Sequence, residues 1–203
     1  AAVLKGEADP ALPLTYNAER QSIANELIEF DKEWAAMLSA PVKNSDDPDS
    51  TGVTPEVIRE YFVRSGRYTA GTATHYRPSL VIDGTSDQNL AEGYVVGTRF
   101  HSAPVIRLAD SKPMQLGHVV EADGRWRLFI FAPTNDLIEK SSQVAELCDF
   151  LANSSSSPII KYTSKGRDID AVIDVRGVFQ ESPSGLRNCS SPALLFPTKG
   201  KVG

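Results

Sequence analysis

The sequence predicts an α/β protein whose small mixed sheet is covered by helices. Two segments rich in branched and aromatic residues, RWRLFIF at 125–131 and IDAVIDV at 169–175, are typical of strands. Between them, residues 136–152 carry apolar side chains on one helical face, and Asp136 and Glu139 have the spacing of a capping box. The order strand, helix, strand favours a sheet with helical cover.

The chain opens with residues compatible with a helix. Residues 1–4 read AAVL, there is no initiator Met, and Gly6 suits the end of a helix. This pattern is typical of the last turn of a longer element. We therefore expect the sequence to be a fragment of a larger protein.

A long amphipathic helix is predicted over residues 15–38. Thr15 is a candidate cap and Pro41 stops the helix. Its apolar stripe, with spacings of three and four residues, consists of Ile23, Leu27, Phe30, Trp34 and Leu38. We expect this stripe to pack against the chain's own domain, a second copy or the rest of a larger protein.

A polar linker over residues 43–52 leads to a second predicted helix. Thr54 is its cap, Pro55 takes the first helical position, and residues 65–66 end it. The residues expected to face inward are Val57, Ile58, Tyr61 and Phe62. Residues 67–97 are interpreted as an irregular connection with a short strand near Leu80.

The C-terminal half shows further signals around the two strands. Residues 114–121 are interpreted as a second strand or a short helix, and Asp123-Gly124 is a hairpin-type turn signal before the strand at 125–131. The helix at 136–152 is expected to bury a stripe made of Leu137, Val144, Leu147, Cys148 and Leu151.

Composition excludes several classes of protein. The 203 residues carry a net charge of −5, which disfavours a general nucleic-acid binder because such proteins need a basic face. No apolar run approaches the length of about 20 residues that spans a bilayer, and no signal peptide is visible. Cys148 and Cys189 lie far apart in the chain. A cytoplasmic protein with unpaired thiols fits best.

Motifs for cofactors and metals are absent from the sequence. No GxGxxG turn follows a strand, and residues 198–201 resemble a phosphate loop only superficially. Gly93 and Gly97 form a lone GxxxG, which a loop explains better than a membrane contact. His75, His101 and His118 have no ligand spacing between them, so core or surface histidines are the default. We predict no catalytic, cofactor-binding or metal-binding residue in this chain.

Three groups of residues could each carry a chemical function, but a structural role is the preferred interpretation of each. Cys148 lies on the apolar stripe of its helix, so an inert buried thiol is favoured over a nucleophile. The acidic residues Asp168, Asp170 and Asp174 are better explained as solvated faces or strand ends than as an acid/base pair. Arg125 and Arg127 could bind a phosphate, but an exposed strand face with Trp126 buried is the preferred interpretation.

Four stretches together resemble one family. They are residues 1–34 with the signature Tyr16-x-x-Glu19-Arg20, residues 65–80, residues 93–132, and residues 169–180 with the ending PALLFPTKGKVG at 192–203. In this order they are similar to the FAD-dependent aromatic hydroxylases of the phenol 2-monooxygenase and 3-hydroxybenzoate 4-monooxygenase type. Glu19 and Arg20 match the signature, and we interpret them as structural, an ion pair or a cap.

The resemblance implies a thioredoxin-like C-terminal domain that has lost its CxxC motif and is used at subunit contacts. It divides the chain into the closing helical segment of an FAD domain (1–40), a linker with a short helix (41–96) and the thioredoxin-like domain (97–203). The parent enzyme would use FAD and NAD(P)H, both bound by an upstream flavin domain, to hydroxylate phenolic substrates. The expected partners are that domain and a second copy in a homodimer, with no nucleic acid and no membrane.

Two functions follow from this sequence. The first is the C-terminal fragment of a flavin-dependent aromatic monooxygenase, inactive by itself. The alternative is a stand-alone thioredoxin-like interaction module without catalytic activity. Residues 1–34 favour the first, because a free-standing module has little reason to keep the closing helix of a flavin domain.

Overall fold

A computed structural model describes residues 2–43, 51–134, 136, 142–186 and 192–195. The chain divides into two compact units, Ala1–His101 and Ser102–Gly203, hereafter the first and second unit. Helices and small sheets both occur, as expected for an α/β protein. The finer division at residues 40 and 96 stays a prediction.

The first unit begins with a short 3₁₀ turn, Val3–Lys5, and the long helix α1, Leu12–Ser39. The expected cap at Thr15 is wrong: Thr15 lies inside α1, and its Oγ1 donates to the carbonyl of Leu12 at 2.8 Å. The helix starts three residues earlier because Pro13 is tolerated in a first turn. It ends two residues before Pro41, and no residue of α1 is buried.

The second helix, α2, spans Pro55–Thr69. The predicted cap is confirmed, since Thr54 Oγ1 accepts a hydrogen bond from the Val57 N–H at 3.4 Å. The expected end at residues 65–66 is wrong. The helix continues to Thr69, and Gly71 ends the turn in a left-handed conformation with φ of 66°.

Aromatic contacts join α1 to α2. The Phe30 ring lies 4.9 Å from Tyr68, and the Trp34 ring lies 5.7 Å from Tyr61 and 6.2 Å from Phe62. Tyr61 is buried and its Oη donates to Glu33 at 3.1 Å. The apolar stripe of α1 therefore packs against its own chain along part of its length.

Other parts of this helix pair stay exposed. Leu27 and Leu38 of the α1 stripe are 48% and 56% exposed. Two of the α2 residues expected to face inward, Val57 and Phe62, are 49% and 60% exposed, so that expectation is wrong for them. A pair of helices buries only the seam between them, and the flanks of each stripe need another partner.

The connection after α2 is irregular, as predicted, but it holds no strand near Leu80. That residue lies in a bend and is 67% exposed. The side chain of Gln88 organises the loop that follows the bend. Its amide donates to the carbonyls of Ala91 and Tyr94 at 2.9 and 3.1 Å and accepts from the Val96 N–H at 2.7 Å. Hydrogen bonds from the Gln88 side chain thus hold a loop that has no strand pairing of its own.

The described residues of the second unit form two separate two-stranded sheets. Strands β1 (Pro104–Arg107) and β2 (Lys112–Gln115) pair antiparallel, and a 3₁₀ turn, Leu116–Val119, follows β2. Strands β3 (Trp126–Phe131) and β4 (Ile173–Val178) pair parallel, with Trp126 opposite Ile173. The predicted hairpin across Asp123-Gly124 is wrong, because β3 pairs with β4 within the described residues.

Three helices accompany these strands: α3 (Gln143–Asn153), α4 (Pro158–Tyr162) and α5 (Pro183–Leu186). The helix predicted from residue 136 begins later, but Asp136 still caps it from a distance. Asp136 Oδ1 accepts from the Gln143 N–H at 2.9 Å, and Oδ2 accepts from the Val144 N–H and the Ser142 hydroxyl at 3.1 and 2.6 Å. The predicted capping partner Glu139 lies outside the described residues.

The core of the second unit lies between α3, α4 and the parallel strands. Its buried members are Val144, Cys148, Leu151, Ile159 and Val175, together with Ala132 and Leu186. Leu128 and Ile130 of β3 and Ile173 of β4 pack against it, whereas Val172 lies just before β4 and accepts from the Trp126 N–H at 2.9 Å. The sequence predicts central strands for these four residues, and that expectation is wrong within the described residues, because β3 and β4 form a two-stranded sheet. Leu147 is 39% exposed, so its predicted burial is wrong, and Leu137 lies outside the described residues.

Membrane insertion of a helix finds no support in the described part of the chain. No helix there combines the length and the apolar character needed to cross a bilayer.

Replacing Ile159 with alanine is expected to lower the free energy of unfolding by about 2–5 kcal/mol. Ile159 is fully buried between α3 and β4, so the change opens a cavity in a packed core. The adjacent Ile160 is 41% exposed and supplies the matched control, since Ile160→Ala removes the same atoms. Urea unfolding followed by circular dichroism measures both, and equal losses would contradict the placement of the core.

Candidate functional site

The three histidines do not form a catalytic or metal-binding site within the described residues. His75 Nε2 lies 3.0 Å from the Val96 carbonyl oxygen, and the His101 ring lies 6.1 Å from Tyr94. His118 is exposed in the 3₁₀ turn after β2. Within the described residues no group of three His, Cys, Asp or Glu side chains could hold a metal ion. Each histidine has a structural or surface position there.

Cys148 is a buried thiol, as the sequence predicted. It is 1% exposed on the buried face of α3, and burial raises the pKa of the thiol. A thiol in an apolar core stays protonated at neutral pH and does not act as a nucleophile. Cys189 lies outside the described residues.

Gly97 of the Gly93–Gly97 pair marks a close backbone approach. It has a positive φ of 83°, and a Cβ placed on it would lie 2.2 Å from the Tyr76 carbonyl oxygen. The backbone needs glycine here because the loop returns past residues 75 and 76, where the Tyr76 N–H donates to the Gly97 carbonyl at 2.9 Å. A Cβ on Gly93 would meet open space, so loop packing accounts for Gly97 alone.

Glu19 and Arg20 do not form the predicted ion pair or cap. The Arg20 guanidinium lies 5.9 Å from the centre of the Tyr16 ring, one helical turn away on α1. Glu19 Oε1 has no hydrogen-bond partner within the part of the chain that the structure describes. The signature residues thus make a cation–π contact on α1.

A groove of about 550 Å³ in the first unit is acidic. Glu26, Glu29 and Glu33 line it along α1, with Phe30, Tyr68 and Arg77. Lys32 pairs with Glu29 at 2.7 Å, and Arg77 adds a positive charge to the lining, so the three carboxylates are partly compensated. The described lining of the groove has no glycine turn at a helix start, which the phosphates of a dinucleotide require.

Arginines and carboxylates form a network where β3 and β4 begin. Arg127 and Asp174 stand opposite each other in the strand register, and their side chains are only 7% and 6% exposed. Arg127 Nε lies 3.2 Å from Asp174 Oδ2, and Arg176 Nη2 lies 2.8 Å from the same oxygen. Asp174 is therefore a buried carboxylate held between two guanidinium groups.

Asp123 extends the network to the turn before β3. Its Oδ2 accepts from Arg127 Nη2 and Arg125 Nε, both at 2.7 Å, and Arg125 also reaches Asp170 at 3.4 Å. The hydrogen bonds from Arg127 and the Arg125 backbone hold the pKa of Asp123 well below its usual range. The hydrogen bond to Asp123 raises the pKa of Arg125. The network ties the Asp123-Gly124 turn to the parallel sheet.

This arrangement corrects the sequence interpretation of the strand. Trp126 is 60% exposed, not buried, and both neighbouring arginines are engaged by carboxylates. Asp174 is buried and ion-paired, so it is not a solvated residue. A phosphate would have to displace several carboxylates, and a phosphate-binding pair is therefore not built here.

Lowering the pH below about 4 is expected to remove progressively the stabilisation that Asp123 provides, with the loss complete only below the depressed pKa of the folded state. Its pKa is depressed in the folded state, so the contribution is fully present above the unfolded pKa and is lost as the pH falls through the folded one. Urea unfolding measured between about pH 3 and pH 7 should show a steeper loss for the parent than for Asp123→Asn. Parallel pH profiles would contradict this role.

Comparison with known proteins places the chain. Residues 74–203 match the family described as phenol hydroxylase, C-terminal dimerisation domain. The chain belongs to this family. The matched range contains the arginine–aspartate network and all four strands of the second unit. Helices α1 and α2 precede it.

Individual relatives extend the similarity over the rest of the chain. It is 47% identical over 203 residues to 3-hydroxybenzoate 4-monooxygenase of Comamonas testosteroni, covering 100% of this chain and 31% of that protein. It is 35% identical to the FAD-dependent monooxygenase terD of Aspergillus terreus, covering 99% of this chain and 33% of that protein. A phenol 2-monooxygenase of Aspergillus fumigatus is 29% identical over 132 residues, covering 63% of this chain and 21% of that protein. The chain thus spans about a third of the length of the first two relatives.

Proposed function

We propose that this chain is the C-terminal part of an FAD- and NAD(P)H-dependent aromatic monooxygenase and that residues 74–203 provide its subunit contact. The observation that carries the proposal is the match of those residues to a dimerisation domain, joined to 47% identity with a monooxygenase over all 203 residues. The substrate would be a phenolic acid or a phenol, by analogy with the 3-hydroxybenzoate and phenol monooxygenases among its relatives. The enzyme would act in the cytoplasm.

The described residues support a structural role for this part of the enzyme. In the cluster around Asp174 the carboxylates and guanidinium groups pair with one another. The thiol of Cys148 is buried. The chemistry of hydroxylation would come from FAD, held elsewhere in the polypeptide. By joining two subunits, the residues of this chain would help to position the flavin domain.

The fold proposed for residues 97–203 is thioredoxin-like. Its support is the crossover from β3 through α3 and α4 to the parallel strand β4, because parallel neighbours need such a connection. Residues 1–40 would be the closing segment of the flavin domain. The exposed apolar residues of α1, including Leu27 and Leu38, agree with a partner beyond the α1–α2 seam.

The intact protein tests this proposal. It should purify with FAD, elute as a dimer, and oxidise NAD(P)H faster when 3-hydroxybenzoate or a simple phenol is added. Light scattering, the flavin spectrum and NAD(P)H absorbance give three independent readouts. A colourless monomer that does not oxidise NAD(P)H with any phenol would contradict the proposal.

A further inference from the structure

The hairpin formed by β1 and β2 has one covered face and one exposed face. Val105 and Met114, directly opposite in the register, are half-buried. The other face presents four exposed residues, Pro104, Ile106, Pro113 and Gln115. Ile106 is 54% exposed and stands directly opposite Pro113. A two-stranded sheet with an open apolar face is marginal in water by itself.

Both outer edges of the hairpin are closed to further strands. The Leu116 N–H donates to the Ala103 carbonyl at 2.8 Å. In an antiparallel pair the backbone N–H and C=O groups of alternate residues point toward the partner strand, so those of Val105 and Arg107 also point inward. The backbone groups of the residues between them point outward. The outward positions include a proline on each strand, Pro104 on β1 and Pro113 on β2. Because proline has no N–H, neither edge can pair regularly with an added strand.

The hairpin is held rigidly in place. Arg107 donates to Asp110 in a two-pronged ion pair across the turn, and Asp110 Oδ1 also accepts from the Lys112 N–H at 3.2 Å. Leu108 in the same turn packs against the core that contains Val144 and Cys148. A surface ordered in advance loses little conformational freedom when a partner binds.

Charge decides which exposed apolar surface suits a second copy. Near the axis of a two-fold contact each residue meets its own counterpart, so a charged patch at the centre of the contact meets like charge. The exposed stripe of α1 lies outside residues 74–203 and is flanked by Glu26, Glu29 and Glu33, of which Glu29 pairs with Lys32 at 2.7 Å. The exposed hairpin face carries no charged side chain, and a chain of net charge −5 can bring this face against itself without repulsion.

We infer that the exposed face of the β1–β2 hairpin, centred on Ile106 and Pro113, is the apolar centre of the subunit contact and packs face to face on the same hairpin of a second copy. The inference rests on the proposed function, which assigns residues 74–203 to dimerisation. Since a stable contact covers about 800 Å² per partner, neighbouring surface must complete it around this centre.

The test uses the intact protein with Ile106→Glu, and Ile160→Glu as the control at an exposed isoleucine of α4. Light scattering over a dilution series should show a dimer dissociation constant raised more than about tenfold for Ile106→Glu, because two carboxylates would face each other. The control should match the parent.

A second arm does not depend on weakening the dimer. Ile106→Cys should give a covalent dimer with a short bismaleimide, above the background of the parent, and Ile160→Cys should not. A parent dimer that persists in Ile106→Glu and fails to cross-link at position 106 would overturn this inference and leave the proposed function standing. A parent that is monomeric at all concentrations would contradict the dimer itself and overturn both.

Discussion

Replacing Asp174 with alanine is expected to lower the free energy of unfolding by about 1.5–3 kcal/mol, because the buried Arg127 guanidinium loses a charged hydrogen-bond partner. The Arg127 side chain is 7% exposed and lies 3.2 Å from Asp174. After the replacement it keeps Asp123, but it loses the carboxylate that stands opposite it in the sheet. The expected loss is among the largest for a single polar change in this chain.

A double variant separates the buried charge from simple packing. Arg127→Met with Asp174→Leu removes both partners, and we expect it to cost less than Asp174→Ala alone, since an apolar pair of similar volume needs no compensation. Urea unfolding of the parent, Arg127→Met, Asp174→Leu and the double variant gives the coupling energy between the two side chains. A loss below about 1 kcal/mol for Asp174→Ala would show that the pair behaves as an exposed salt bridge.

The 203-residue chain by itself is expected to bind no FAD and to hydroxylate nothing. A flavin dinucleotide needs a glycine turn that follows a strand and opens a helix, so that backbone N–H groups reach the pyrophosphate. The described glycines with positive φ are Gly6, Gly71, Gly97, Gly124 and Gly166, and none has that position.

Flavin fluorescence during titration of the chain into FAD, and NAD(P)H absorbance with a phenol present, measure this expectation. The intact protein is the positive control in both assays. Disulfide exchange should also be absent, because Cys148 is buried and no CxxC is present in the sequence. Tight quenching of flavin fluorescence, or NAD(P)H consumption stimulated by a phenol, would place a flavin site within this chain.

Local signals in the sequence predicted several elements well. The Thr54-Pro55-Glu56 start of α2 depends only on neighbouring residues, and the structure confirms its cap at 3.4 Å. The strands β3 and β4 and the burial of Cys148 also follow from local apolar patterns. The family resemblance identified from the sequence is confirmed by the match over residues 74–203.

The sequence predicted the pairing of distant strands less well. The Asp123-Gly124 signal predicted a hairpin, and the glycine does take a positive φ of 80°, but β3 pairs with β4 in parallel. A turn signal specifies the local backbone, whereas the choice of strand partner depends on which side chains the sheet can bury. Parallel pairing places Leu128 and Ile130 against the core that holds Leu151 and Ile159.

The sequence by itself determined the strands β3 and β4, the capped start of α2 and the absence of a dinucleotide fingerprint, because each depends on residues within a few positions of one another. Only the tertiary structure decided that Arg127 and Asp174, 47 positions apart, form a buried pair, and that Trp126 between two arginines is exposed. It likewise decided which face of the β1–β2 hairpin is covered. Burial and charge pairing arise between distant segments, and a one-dimensional pattern does not encode which segments meet.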